Sequence, residues 1–349
     1  MQDREQHGLR GPVKSCVEES TFPSPPSATN QDGTEKPEIR TWNKMEYDPV
    51  GHFIERRHRN PDGSEWVVRH AYDVSGRLLK FISGMDGGPT TEQVYIYDER
   101  GRLLSVINSS APDNPVTFRY DERGRKTKVQ ISRPEDYRPN VASGGSPLEA
   151  ADRPPNLMGG GSAITIYDEQ DRPTEVQVRD SRGELMSRAI RIYDERGRIA
   201  EEEQILESPE KIIPAEHVAR ILQESGRSLE ELREELTKVM GGGKGMHSVA
   251  YSYDESGRIT TTLRRVFSHL ATIETSYNER GDKAAEITRE KPIGEQEPGT
   301  AGPPPYSEAR YSYEYDGHDN WVKQIVSHRC SPNGDFQHSS EYRRTLSYH

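Results

Sequence analysis

The pair Tyr-Asp recurs along this chain at Tyr47, Tyr72, Tyr97, Tyr120, Tyr167, Tyr193, Tyr253 and Tyr315, with Tyr277-Asn278 as a ninth, altered copy. The first three copies stand 25 residues apart, and the longer intervals hold insertions. A fixed period of this length marks a chain built by repeating one supersecondary unit, which constrains its fold more than any other feature. The best copies read YDVSGRLLKFI from Tyr72, YDERGRLLSVI from Tyr97, YDERGRKTKVQI from Tyr120, YDERGRIAEEEQI from Tyr193 and YDESGRITTTL from Tyr253. Asp at the start of such a turn accepts hydrogen bonds from turn amides, and Gly four residues after Tyr supplies the positive φ that closes it. Each Tyr-Asp-x-x-Gly-Arg is therefore a predicted hairpin tip, flanked by strand-forming stretches such as 94–97 and 103–107. Second turns, such as Met85-Asp86-Gly87-Gly88 and Ala111-Pro112-Asp113-Asn114, lead into the next unit. The expected fold is all-β, with antiparallel hairpins forming one long curved or spiralling sheet.

Composition supports a thin sheet. The hydrophobic fraction is 31% and the mean hydropathy −0.96, against roughly 45–50% apolar residues in ordinary globular domains. The 17 Tyr residues each offer an apolar ring for burial and a hydroxyl that stays wet or bonded. In the copy at Tyr120, a four-residue loop from Asp121 to Gly124 pairs Tyr120 with Arg125 and Phe118 with Thr127. Val116, Phe118, Tyr120, Val129 and Ile131 then share one face, with Thr117, Arg119, Lys126, Lys128 and Gln130 on the other. The copies at Tyr97 and Tyr193 put aliphatics on both faces, which implies either cover on both sides or a bulge. The recurrent Arg either lies along a neighbouring ring, pairs with turn acids, or is a solvated turn charge.

Three insertions, 22–38, 132–161 and 291–305, are Pro- and Gly-rich and read as mobile surface loops. The stretch 208–247 reads as a helical hairpin. Pro214-Ala215-Glu216 opens a first helix with Val218, Ile221 and Leu222 on one side. Ser228 with Glu231 forms a capping box for a second, whose stripe is Leu229, Leu232, Leu236 and Val239. This hairpin is expected to pack on the sheet or cap its edge, with docking of a partner as the other reading. Residues 1–39 form an N-terminal segment with an opening strand from Leu9 to Glu19, and 40–349 the repeat domain.

The repeat resembles the YD repeats of the RHS family over roughly residues 40 to 349. The stretch Tyr315-Asp316-Gly317-His318-Asp319-Asn320-Trp321 is similar to the variant final copies of short members, and Glu341 to His349 reads as a closing strand. The resemblance implies strand-turn-strand sheets that can spiral into a shell, an association with bacterial toxin systems, and an extracellular or envelope location. Asp48-Pro49-Val50-Gly51 matches the Asp-Pro-x-Gly-Leu signature of the large members only superficially, because it sits in register with the other tips. About nine copies fit an open curved sheet or a small closed one. The edges of an open sheet would allow a homodimer.

The net charge of −11 and pI near 5.6 repel nucleic acid and anionic membrane alike. No run of about 18 apolar residues exists for membrane insertion, and MQDREQHGLRGPVKSC lacks the apolar stretch of a signal peptide. Cys16 and Cys330 are either a disulfide closing a very long loop or two unrelated thiols. No HExxH, Gly-x-Ser-x-Gly or Walker pattern occurs, and periodicity assigns the repeated Asp residues to turns. No catalytic, cofactor or metal site is therefore expected. The chain reads as a non-catalytic scaffold or binding protein contacting glycan or protein, with an accessory or remnant shell component of an RHS toxin system as the alternative and a glycan hydrolase as a third reading. Candidate contacts are Trp42, Trp66, Tyr251, Tyr253, Tyr311, Tyr313, Tyr315 and Trp321, although core packing is the first explanation for these rings.

Overall fold

The computed structural model describes residues 3–22, 39–60, 62–131, 161–207, 210, 213, 215–239, 247–266, 269–292 and 305–349. The expected loops 22–38, 132–161 and 291–305 lie almost wholly outside the described residues. The chain is all-β: twenty strands run from β1 (Val13–Phe22) and β2 (Ile39–Tyr47) through β9 (Lys126–Ile131) and β10 (Gly161–Tyr167) to β19 (Trp321–Arg329) and β20 (Gln337–Tyr348). Each strand pairs antiparallel with the next in sequence. β20 then pairs with β1, from Val13 opposite Tyr348 to Thr21 opposite Glu341. The sheet is thus a closed barrel, not an open one. Closure leaves no strand edge for the dimer that an open sheet would allow, because every ladder has a partner on both sides.

The tips form as the repeat predicts. In the copy at Tyr97, the Asp98 amide donates to Arg102 O at 2.9 Å and the Gly101 amide to Asp98 O at 2.9 Å, with Gly101 at φ 78°. Two copies lack this Gly. Asp171 and Asp319 take its place, both at φ 61°, a left-handed conformation that Asp tolerates better than most side chains. The register beside the tips differs from the simple loop expectation. Tyr120 stands opposite Lys126, not Arg125, and Phe118 opposite Val129, not Thr127, because an extra residue bulges out between them. The same shift follows Tyr47, Tyr72, Tyr97, Tyr167, Tyr193, Tyr253, Tyr277 and Tyr315. The bulge keeps Val116, Phe118, Tyr120, Val129 and Ile131 on one face and moves Lys126 to that face, while in the copies at Tyr97 and Tyr193 aliphatics such as Ile96 and Ile192 still stand exposed on the opposite face. A second correction concerns the turn expected at 111–114. Those residues open β8 (Ala111–Tyr120), and the turn sits at Ser109-Ser110, where Asn108 Oδ1 accepts from the Ser110 amide at 2.9 Å.

Extensive contacts between elements all run between ladder neighbours, so among the described residues no second layer covers the wall. The N-terminal segment shows which face is concave. The Arg4 amide donates to Gly51 O in the β2–β3 turn at 3.1 Å, while the Arg10 guanidinium donates to Arg280 O at 2.8 Å. Arg280 lies in the turn between β16 (His269–Tyr277) and β17 (Lys283–Pro292). Along the wall these turns are six strand spacings apart, about 29 Å. Six residues reach about 20 Å fully extended, but Asp3–Gln6 is helical (α1) and the Leu9 amide folds back onto Arg4 O at 3.1 Å, so the backbone together with the Arg10 side chain stays short of the path along the wall. The segment therefore cuts across the inside of the curve. It packs on the Tyr-bearing face, which is the lumenal one.

The segment also completes the main apolar cluster. Leu9, Val13, Cys16, Tyr47 and Phe53 are buried together, flanked by Met45, Val68, Leu346 and Tyr348. Burial pushes the Cys16 thiol up to about 11, and Cys16 and Cys330 are both free. The helices form as expected: α2 (Ala215–Ser225) and α3 (Leu229–Val239). The capping box is in place, with the Ser228 amide donating to Glu231 Oε2 at 2.7 Å and the Glu231 amide to Ser228 Oγ at 3.2 Å. Leu232 is buried, and Arg233 forks onto Glu210 at 2.7 and 3.0 Å.

Tyr47 is 1% exposed, so truncating it leaves a cavity at the seam. Tyr47→Ala is expected to cost about 3–5 kcal/mol in denaturant unfolding, while Val74→Ala, at a fully exposed tip position, leaves the midpoint unchanged.

Candidate functional site

The repeated residues build the rim of the barrel. In six of the nine copies the Arg reaches back to its own Asp: Arg102 Nε donates to Asp98 Oδ2 at 2.7 Å, and the Arg102 amide to Asp98 Oδ1 at 2.8 Å. The same guanidinium then covers the Tyr ring of the following copy. Arg77 lies over Tyr97 at 5.2 Å, Arg102 over Tyr120 at 5.0 Å, Arg125 over Tyr167 at 4.8 Å, Arg172 over Tyr193 at 4.6 Å and Arg258 over Tyr277 at 4.7 Å. The Tyr hydroxyl donates to the carbonyl just after that Arg, as from Tyr97 to Leu78 O at 2.8 Å and from Tyr120 to Leu103 O at 2.9 Å. Turn, cation and ring thus link each copy to the next.

Histidine takes over beside the seam. His52, in the first copy, bonds Asp48 at 2.8 Å and stacks on Tyr72 at 4.7 Å. His318 lies over Tyr348 at 4.3 Å, whose hydroxyl donates to Asp316. Tyr47 is bonded by His7 Nδ1 at 2.7 Å, so the N-terminal segment supplies the partner that no preceding repeat provides.

The candidate contacts fall into three settings. Tyr253, Tyr313 and Tyr315 are committed to the wall: Tyr253 donates to Ile199 O at 2.6 Å, Tyr313 to Lys283 O at 2.9 Å and Tyr315 to Asp282 Oδ2 at 2.8 Å. Tyr251 reaches Glu202 Oε2 at 3.4 Å, and burial followed by that carboxylate pushes its hydroxyl up to about 12. Tyr311 shares the lumenal face with Tyr313, and Trp321 lies 6.4 Å from Tyr313, under the Arg344 guanidinium at 3.5 Å. Trp42 stands on the outer face with Arg59 over its ring at 4.6 Å. Trp66, on the lumenal face, differs. Its side chain is 43% exposed, and it lines a cleft of about 380 Å³ with Arg56, His58, Asn60 and Val68. Trp42 and Trp66 are therefore not brought together, while Tyr313, Tyr315 and Trp321 are.

Sequence reasoning missed a second hollow beside that cleft. It measures about 470 Å³, and Asp3 and His7 of the N-terminal segment line it with Arg56, His70 and Arg344. Its residues come from both ends of the chain, and the sequence marks this copy only by His52, where six of the other eight copies carry Arg.

The outer face carries mixed charge ladders. Arg57 pairs with Glu55 at 2.6 Å and with Glu65 at 3.3 Å, Lys80 with Glu92 at 2.8 Å, and Arg289 with Glu274 at 2.6 Å. A lipid-facing barrel carries an apolar band about 25 Å tall there. No described helix is long and apolar enough to cross a membrane.

No protein-family model matches the chain, and no curated protein matches it in sequence. Among solved structures, TcdB2-TccC3-TEV aligns with 93% of this chain at 13% identity and a TM-score of 0.36, and the match covers 15% of that chain. A porin-like protein from Bacteroides uniformis aligns over 97% of this chain and 99% of its own at 9% identity and a TM-score of 0.35. TcdB2-TccC3-Cdc42 aligns over 95% of this chain and 17% of its own at 12% identity and a TM-score of 0.30. The assignment of the fold rests on the closed ladder itself.

The site's titration predicts two stages of acid destabilisation. Burial lowers the pKa of His7 and His70, so the folded state keeps them neutral where the unfolded chain protonates. Their contribution is present above pH 6.5 and is lost as pH falls below it. The amides of the following Arg residues, then their guanidinium groups, hold Asp73, Asp98, Asp194 and Asp254 below the ordinary value of 3.8. Their contribution is present above that value and is lost as pH falls through the depressed pKa. Melting temperature against pH should show both declines, and the double variant His7→Gln, His70→Gln should flatten the first.

Proposed function

We propose that this chain is a non-catalytic barrel scaffold that binds a glycan or protein segment on its lumenal face. One observation carries the reading: with the repeated Asp, Arg and Tyr committed to the wall, Trp66 remains an open aromatic surface in a cleft with Arg56, His58 and Asn60. A ring flanked by planar and polar donors suits the apolar face and hydroxyls of a sugar, or an extended peptide. Nothing in this cleft pairs a nucleophile with a base, which favours binding over turnover. The hollow closed wall also favours the second reading, a shell component of an RHS-like toxin system, whose test is co-purification of a toxin or immunity protein with the chain expressed in its own genetic context.

A glycan array probed with the full chain, followed by calorimetry on the best ligand, tests the first reading. Trp66→Ala is expected to weaken that ligand at least tenfold, in line with the loss of an aromatic anchor, without shifting the melting temperature. A variant that binds as well as the parent would remove the cleft from consideration.

A further inference from the structure

The second lumenal hollow has a chemistry of its own. Arg344 on β20 is 10% exposed, and its Nε donates to Glu18 Oε2 at 3.0 Å. Its guanidinium face rests on Trp321, yet Nη1 is buried and has no hydrogen-bond partner. A buried donor without an acceptor is costly, and more so when it is charged. Across the hollow, on β3 (Phe53–Arg59), Arg56 spends one donor on Asn43 Oδ1 at 3.1 Å and is otherwise exposed.

The two carboxylates on the wall are already engaged. Asp3 Oδ2 accepts from the Phe53 amide at 2.8 Å and from the Tyr72 hydroxyl at 2.9 Å. Glu18 holds Arg344. Glu18 thus engages only Nε of Arg344, leaving Nη1 without an acceptor, and Arg56 keeps donors beyond its bond to Asn43. Met45, Phe53 and Val68 supply an apolar floor.

We propose that this hollow binds a small monocarboxylate with an apolar body. The carboxylate takes hydrogen bonds from Arg56 and Arg344, and the body lies on Met45, Phe53 and Val68. Charge-assisted bonds of this kind are about twice as strong as neutral ones, and a ligand oxygen supplies the acceptor that Arg344 Nη1 lacks. Asp3 and Glu18 select against a dianion such as inorganic phosphate, because a second negative charge would face both. The site goes beyond the Trp66 reading and uses a different ligand chemistry.

Calorimetric titration of the full chain with benzoate tests it, with benzamide as the neutral analogue of the same shape, at constant ionic strength. The expected result is saturable benzoate binding, with benzamide about tenfold weaker or worse. Arg56→Gln should weaken benzoate by a similar factor at unchanged melting temperature, because Arg56 is exposed and the Arg344–Glu18 pair stays intact. Trp66→Ala should leave benzoate binding unaltered, which separates this site from the neighbouring cleft. Equal binding of the two probes, no saturable benzoate signal at millimolar concentration, or an Arg56→Gln variant that binds benzoate normally would overturn the assignment.

Discussion

Everything in this barrel depends on the step from one hairpin's Asp-Arg pair to the next hairpin's Tyr. An antiparallel hairpin alone is marginal in water, and a one-layer sheet has no second layer to bury its apolar face. Here the turn Asp fixes the Arg, the Arg covers a ring in the following copy, and the ring's hydroxyl returns a hydrogen bond to the backbone beside that Arg. The interaction is local and directional, and it recurs at Arg77, Arg102, Arg125, Arg172, Arg198 and Arg258. It lets a chain with few fully buried side chains fold as a wall whose stability is shared among neighbours.

A repeat of this kind has no intrinsic end. The first copy has no preceding Arg, and the last carries Asn320 in place of its own, so each would leave half an interaction open. The N-terminal segment resolves this at the seam. His7 bonds Tyr47, Asp3 bonds Tyr72 and the Phe53 amide, and the Arg10 amide donates to Asn320 Oδ1 at 2.6 Å. Asn320 Nδ2 returns a bond to Arg10 O at 2.8 Å, so Asn in place of the usual Arg is what receives the segment. His52 and His318 stand at the same junction, each with its imidazole against a Tyr ring, on Tyr72 and Tyr348. Gly11 approaches the His318 ring closely enough that a side chain there would touch it.

The parts legible in the sequence are those that local chemistry specifies. Asp and Gly at fixed offsets give the tips, alternation gives the Tyr120 face, and Ser228 with Glu231 gives the start of α3. The bulge was legible only as one of two readings of aliphatics on both faces, because residues such as Leu79 and Leu104 look like ordinary strand aliphatics and only the three-dimensional register sets them apart. Closure was legible only as the alternative to an open curved sheet. It pairs β1 with β20, more than 300 residues away, and neither strand carries a motif. The same distance hid the lumenal hollow, whose Asp3, His7 and Arg344 come from opposite ends of the chain. For the candidate contacts, residue type alone could not separate Trp42, covered by Arg59 on the outer face, from Trp66, open to the lumen.

The closing ladder is the central claim, and a cross-link across it is the most direct test. Ser15 and Ser347 stand opposite each other in β1 and β20, with Oγ atoms 2.6 Å apart, a separation of side chains that suits a disulfide. The double variant Ser15→Cys, Ser347→Cys, oxidised mildly and digested, should yield a linked peptide pair by mass spectrometry from the folded monomer. A folded monomer that leaves both introduced thiols free would mean the sheet is open, and the account of the seam would fall with it.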